Sequence, residues 1–247
     1  MKTTKYLIGI QPTGKLHIGN YLGCIKKGLE YQAEGNEVIF MIANYHMMTT
    51  TDHDYQKIRN THDELVRLGC KNIVLQGNEN LEMFYKLTCK LNVGTLQRMP
   101  QYKDKKEDTE YDLGLLLYPV LMAADIIVND PDVIIVGRDQ VAHIELCNDI
   151  AKRVGKTKYY KYEFGHVDKV NSLIDPSKKM SKSAGENHVL YLFDEDYEKK
   201  LRKATATEEG LKNLHLIGNN IGVNCNKFSL NSDLKSAIAG KMRELFG

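Results

Sequence analysis

The sequence predicts a doubly wound α/β fold: a parallel sheet flanked by helices, with a small helical region after it. Three observations predict it. The apolar runs Tyr6–Ile10, Glu37–Ala43 and Val133–Val136 are near-continuous rather than alternating, as strands covered on both faces are. Helical stretches separate these runs, so strands and helices alternate. A Pro/Gly turn follows the first run directly, where open α/β sheets place their ligands.

Each element follows in order. Tyr6–Ile10 reads as the first strand, broken by Gln11–Gly14, and Ile18–Glu34 reads as a helix. Glu37–Ala43 is a second strand. Asp54–Leu68 is a helix that turns Ile58, Leu65 and Leu68 inward, and Asn72–Gln76 is a third strand. Leu81–Leu91 and Leu113–Val128 read as helices on either side of the lysine-rich loop Gln101–Glu110. Val133–Val136 is a buried strand and Gln140–Val154 a helix. After Ser183 the character changes. Val189–Phe193 is a short extended piece. Asp194–Thr205 is a charged helix, acidic at its start and basic at its end as the helix dipole favours. Leu211–Leu216 and Asp233–Phe246 read as further helix. The predicted domains are 1–183, with a helical and loop insertion at about 79–117, and 184–247.

Composition excludes several classes. The 247 residues carry 34 Lys+Arg against 32 Asp+Glu, so a nucleic-acid partner would need a local basic patch rather than net charge. No run approaches membrane-span length and no signal-peptide pattern is expected. Five scattered cysteines (Cys24, Cys70, Cys89, Cys147, Cys225) include no C-x-x-C pair, so no disulfide framework or zinc site is expected. A reducing cytoplasm fits that usage.

Two segments carry the chemistry. In Gly9–Asn20 a turn after a strand leads into a helix whose first amides are free to meet an anion. Gly19 allows close approach to the backbone, His17 can donate to a phosphate, and Asn20 can contact phosphate or ribose. Taken alone, this segment also fits a plain βα turn with an incidental histidine. Lys179-Met180-Ser181-Lys182-Ser183 is a basic loop, and lysine suits a pyrophosphate leaving group. Alone, it equally fits a solvated charge cluster; the two together point to triphosphate handling. Tyr118, Met122 and Asp125 share one helix face, where a carboxylate on an apolar surface needs a donor.

With these segments the chain resembles the class I aminoacyl-tRNA synthetases of the tryptophanyl type, in their bacterial pattern. The residues concerned are Gly9–Gly23, Ala43–Thr49, Tyr118–Ile126, Val136–Leu146 and Ser172–Ser183; the likeness runs from residue 6 to about 205. The resemblance implies a Rossmann-like catalytic domain that activates L-tryptophan with ATP, releases pyrophosphate and charges tRNA(Trp). It implies an ATP site at Gln11, Pro12, Thr13, His17, Gly19, Asn20, Gly137, Arg138, Asp139 and Val170. It assigns pyrophosphate to Lys179 and Lys182, with Met180, Ser181 and Ser183 in the same loop, and to Lys105. It assigns the amino acid to Gly9, Gln11, His46, Met122, Asp125, Ile134, Val136 and Gln140, with Asp125 meeting the indole N–H. A buried polar partner of that kind can reject an analogue lacking the donor by roughly 10⁴–10⁵-fold. Mg²⁺ is expected to arrive with ATP, with no metal held by protein alone. A homodimer joined through the helices between Leu81 and Val128 is also implied. Lys86, Lys90, Arg98, Lys103, Lys105 and Lys106 are candidates for the tRNA acceptor stem. Lys199, Lys200, Arg202 and Lys203 are candidates for phosphates, or equally a solvated face.

The chain departs from the pattern in places. Arg138 stands where an acidic residue is usual, Asn44 replaces a frequent Asp, and the C-terminal helical region that contributes to anticodon reading is expected to be short. Two alternatives stay open. One is a tyrosine-specific ligase. The other is a shortened paralogue that senses an amino acid or transfers it to a non-tRNA acceptor.

Overall fold

The computed structural model describes residues 3–49, 53–100 and 113–247. It divides into two compact units, Met1–Gly14 with Lys27–Phe164, and Lys15–Lys26 with Gly165–Gly247. This partition follows contacts in space. It groups residues 15–26 and 165–183 with the C-terminal segment, whereas the sequence-based boundary is one cut near 184.

The first unit holds five parallel strands: β1 (Lys5–Ile10), β2 (Glu37–Ile42), β3 (Asn72–Leu75), β4 (Val133–Val136) and β5 (Lys161–Phe164), in the order β3-β2-β1-β4-β5. Tyr6 lies opposite Val38 on one side and Val133 on the other. The chain builds outward from β1 to β3, then returns to place β4 on β1's other side. The topological switch point therefore lies between β1 and β4, and side chains following the strands gather at its carboxyl edge. The apolar runs are buried as their composition demands: every residue of β4, and all of β2 except Glu37. β5 pairs with β4 at the sheet edge and is only half-buried, so its sequence KYEF lacks an apolar run.

Helices cover both faces. Asp54 caps α3 (Tyr55–Arg67) by accepting the Gln56 and Lys57 amides at 2.9 and 3.1 Å. The next helices are α4 (Asn78–Thr88), starting three residues earlier than its apolar pattern, and the short α5 (Val93–Leu96). They are followed by α6 (Leu113–Asn129) and α7 (Val141–Ala151). α6 carries Pro119 inside it and buries Val120, Ala123, Ala124, Ile126 and Ile127 in a core shared with Leu7, Ile134, Ile144 and Cys147.

The second unit contains α1 (Ile18–Asn20), a π-helical turn (Tyr21–Ile25), and the helices α8 (Tyr197–Lys203), α9 (Glu208–Asn220) and α10 (Asn231–Phe246); α2 (Lys26–Ala33) continues from the π turn. In the π turn the Lys26 amide bonds Tyr21, which frees the Leu22 carbonyl to accept from His166 N–H at 3.0 Å. Gly165 is required at this contact, because a Cβ there would lie 1.8 Å from the Gly23 carbonyl oxygen. The predicted extended piece Val189–Phe193 is not a strand. It makes a single antiparallel bridge, Tyr191 to His17, flanked by Ile18 N–H to Leu190 O at 2.9 Å and Leu192 N–H to Leu16 O at 3.0 Å.

Candidate active site

In the first unit a buried carboxylate organises the carboxyl ends of β2 and β3. Asp125, on α6, is 2% exposed. Its Oδ1 accepts from Asn80 Nδ2 and Gln76 Nε2, both at 2.8 Å; its Oδ2 accepts from Gln76 Nε2 at 2.8 Å and His46 Nε2 at 3.0 Å. The two amide donors are themselves locked to the backbone, and the His46 backbone is held by a side chain. Gln76 Oε1 accepts the Tyr45 amide at 2.7 Å, Asn80 Oδ1 accepts the Gly77 amide at 2.9 Å, and Gln11 Nε2 donates to the His46 carbonyl at 2.9 Å. These bonds fix which end of each amide faces the carboxylate. Nε2 of His46 faces the carboxylate as a donor, and its buried Nδ1 has no hydrogen-bond partner among the described residues.

The sequence reading requires a donor for Asp125, and the fold supplies three from the protein. Of these only His46 is a sequence-predicted pocket residue; Gln76 and Asn80 are additions. Tyr118 packs edge-on to His46 at 4.2 Å between ring centroids, and burial, then Asp125 and Asp139, push its phenol up to about 12. Ile134 and Val136 are buried, and Met122 is half-buried on the Asp125 helix. Gly9 is the exposed position of an otherwise covered β1, and a Cβ there would meet only Met41, at 3.9 Å. After β4, Gln140 donates to Asp139 at 2.6 Å and its Oε1 pairs with His143 Nδ1 at 3.0 Å. Burial, the largest influence, holds His143 down to about 4. A Cβ at Gly137 would lie 2.7 Å from Asp139 Oδ1, so a side chain there would have to displace that carboxylate. Arg138 lays its guanidinium over the Phe164 ring at 4.4 Å, a cation–π contact on the edge strand. Pro12 is buried and Thr13 exposed.

In the second unit His17 caps the helix it precedes. Its Nδ1 accepts the Gly19 amide at 3.1 Å, and its own amide donates to Asn20 Oδ1, also at 3.1 Å, which completes a capping box. A Cβ on Gly19 would lie 2.9 Å from the imidazole, so glycine is needed here to seat His17 as well as to open the backbone. Burial, then Lys182, then Lys179 lower His17 to about 3. The ring is therefore neutral near pH 7, and its proton sits on Nε2. It can donate a hydrogen bond to a phosphate oxygen and has no spare proton to transfer as an acid.

The lysine loop is the far arm of a tight hairpin. Asn171 bridges Lys179, Met180 N–H donates to Val170 O at 2.9 Å, and Ser172 N–H donates to Lys178 O at 2.9 Å. Asn213 of α9 clamps this hairpin by exchanging two bonds with the Asn171 backbone, at 2.8 and 2.9 Å. Met180 and Val170 are buried anchors, Lys179 is exposed, Lys182 is half-buried, and Ser181 and Ser183 pair through their hydroxyls at 2.9 Å. In α8, Lys200 is committed inside the unit: it pairs with Asp194 at 2.7 Å and covers the Tyr191 ring at 4.2 Å. Lys103, Lys105 and Lys106 lie outside the described residues.

Residues 1–239 match the family described as tRNA synthetases class I (W and Y). The chain is 38% identical to the tryptophan–tRNA ligase of Wolinella succinogenes, over 82% of this chain and 68% of that protein. The chain belongs to this family. It is also similar to the crystal structure of tryptophanyl-tRNA synthetase from Mycoplasma pneumoniae, with a TM-score of 0.80 and 31% identity over 99% of this chain and 85% of that one. The Campylobacter jejuni enzyme complexed with ADP and tryptophan gives a TM-score of 0.75 and 27% identity, covering 98% and 88%.

Within this class I synthetase, Gln76 and Asn80 escape a reading by motif because Gln76 directly follows β3 and Asn80 sits in the first turn of α4, each a single polar residue with no local signature. A signal was nevertheless present. Gln11, Asn44 and Gln76 each follow the end of a strand by one or two residues, where a doubly wound synthetase fold gathers its ligand contacts. Chemically, the first unit of this synthetase offers a buried acceptor with apolar surroundings. The second offers a neutral imidazole donor and two lysines, which suit charge neutralisation on phosphates.

Proposed function

We propose that this chain activates L-tryptophan with ATP and transfers it to tRNA(Trp). In the first step a tryptophan carboxylate oxygen attacks the α-phosphorus, the bond to the bridging β-oxygen breaks, and pyrophosphate leaves. In the second, a ribose hydroxyl at the tRNA terminus attacks the activated carbonyl and AMP leaves. The carboxylate is already a nucleophile, so the protein's task is alignment and charge stabilisation. The observation that carries the tryptophan reading is Asp125: a buried, oriented carboxylate on an apolar helix, suited to a ligand N–H, in a chain so similar to tryptophan–tRNA ligases.

In this reading His17 Nε2 donates to the triphosphate, and Lys179, Lys182 and Lys105 neutralise the leaving pyrophosphate. Gln11, Pro12, Thr13, Gly19, Asn20, Gly137, Arg138, Asp139, Val170, Met180, Ser181 and Ser183 form the rest of the nucleotide-binding set. Gly9, Gln11, His46, Met122, Ile134, Val136 and Gln140 surround the amino acid with Asp125. Mg²⁺ travels on the triphosphate; among the described residues no group of three or more His, Cys, Asp or Glu could hold a metal. A homodimer through the first unit fits the exposed Leu81, Tyr85, Val93 and Leu113 on or beside its helices. Reaction in the cytoplasm fits the substrates, and no described helix is long and apolar enough to cross a membrane.

The test is amino-acid-dependent ATP–pyrophosphate exchange, comparing tryptophan with tyrosine, followed by charging of tRNA(Trp). Exchange with tryptophan alone is expected. Exchange with tyrosine alone would replace the substrate assignment, and exchange with neither, despite tryptophan binding, would point to a sensor.

A further inference from the structure

Asp125 makes four contacts with three donors. A carboxylate has about four acceptor sites, so its capacity is filled as it stands. The donors differ in how they fill it. Asn80 bonds only Oδ1 and His46 only Oδ2. Gln76 Nε2 lies 2.8 Å from both oxygens, the geometry of one shared, three-centre bond. Gln76 can therefore give up one oxygen and keep the other, which releases a single acceptor site without leaving any protein donor unpaired. Asn80 and His46 have no such second bond to the carboxylate to fall back on.

We infer that Gln76 and Asn80 are positioning residues for amino-acid selection, fixing the Asp125 carboxylate so that it can accept one further N–H. This rests on the tryptophan reading above. When the indole N–H arrives, Gln76 retreats to Oδ1 beside Asn80, and Oδ2 serves His46 and the ligand. Four donors then meet four acceptor sites. Gln76 is suited to this because its Oε1 is held by the Tyr45 amide and its own amide by Asn44 Oδ1 at 2.9 Å, so the side chain shifts without turning over. Asn80 is held by its capping bond to Gly77. Without these donors the carboxylate rotates towards those that remain, and its alignment with the ligand N–H is lost.

The experiment is equilibrium binding of tryptophan and of 3-benzothienylalanine, in which sulfur replaces the indole N–H with little change of shape. The chain contains no tryptophan, so the ligand's own fluorescence reports its binding and the analogue is measured by competition. Gln76→Met keeps bulk and removes the amide; Asn80→Ala leaves Gln76 in place and decides the matter if Gln76→Met does not fold. Each variant is expected to weaken tryptophan about tenfold or more, the scale of one bond to a charged group, while leaving the analogue nearly unchanged. Parallel weakening of both ligands, no change in either, or tighter tryptophan binding would overturn the inference. Failure of the wild type to bind tryptophan would instead overturn the reading beneath it.

Discussion

His17 and Gly19 define each other's conformation. The imidazole accepts the Gly19 amide at 3.1 Å, and the glycine leaves the space that the ring fills, since a Cβ would approach it to 2.9 Å. Gly19→Ala is thus expected to displace the ring from its cap and move Nε2. Misplacement on the order of 1 Å can cost about 10²-fold in rate. Pyrophosphate exchange should fall on that scale while tryptophan binding in the first unit is retained. Equal loss of both would reject the assignment of His17 to the phosphates.

Lys182 acts on the same ring, helping to lower His17 to about 3. Lys182→Ala is expected to slow exchange by on the order of 10²-fold, as removal of one transition-state donor does. Tryptophan affinity should change far less. Comparable losses in rate and affinity would count against a role on the leaving group.

His17 and His143 set an acid-side stability slope. Burial is the first cause in both, and His17 and His143 sit at about 3 and about 4 against an ordinary value of 6.5. As pH falls below 6.5 the unfolded chain takes up these protons before the folded one does. Stability from these sites is therefore full above about 6.5 and declines towards 4, by up to about 1.4 kcal/mol per pH unit for each histidine. Urea midpoints between pH 7 and pH 4 would show this, and His17→Gln should flatten the slope. A variant with the wild-type slope would refute the contribution of His17.

Gly28 is where α2 meets the sheet. A Cβ there would lie 2.3 Å from Ile8 Cδ1 and 3.0 Å from the Phe40 ring. Overpacking of this kind costs about 1–3 kcal/mol. Gly28→Ala should lower the urea midpoint with the m-value unchanged, and an unaltered midpoint would mean that the strand side chains yield freely.

Much of the fold was legible because burial on both faces writes itself as unbroken apolar sequence. β1, β2 and β4 fall within a residue of their predicted bounds, and Asp54 caps the helix that was read to start with it. β5 was not legible: an edge strand half-covered needs no apolar run, and only its register with β4 reveals it. The site divided the same way. His17 and the lysine loop carry local signatures, whereas the Asp125 network joins residues 46, 76, 80 and 125, whose association exists only after β2, β3 and α6 have packed. Lys200, read either as a phosphate contact or as part of a solvated face, has its charge met by Asp194, an interaction that charge patterning alone does not distinguish from exposure.

The bridge between His17 and Tyr191 has a consequence for biosynthesis. Residues 15–26 leave the ribosome early, yet everything they pack with in their own unit lies after residue 164. All five strands and every residue of the Asp125 network, by contrast, precede Gly165 in the chain. Residues 17–20 close the imidazole cap by themselves, but a nascent chain halted before Tyr191 lacks the backbone pairing that holds this capped turn from the other side.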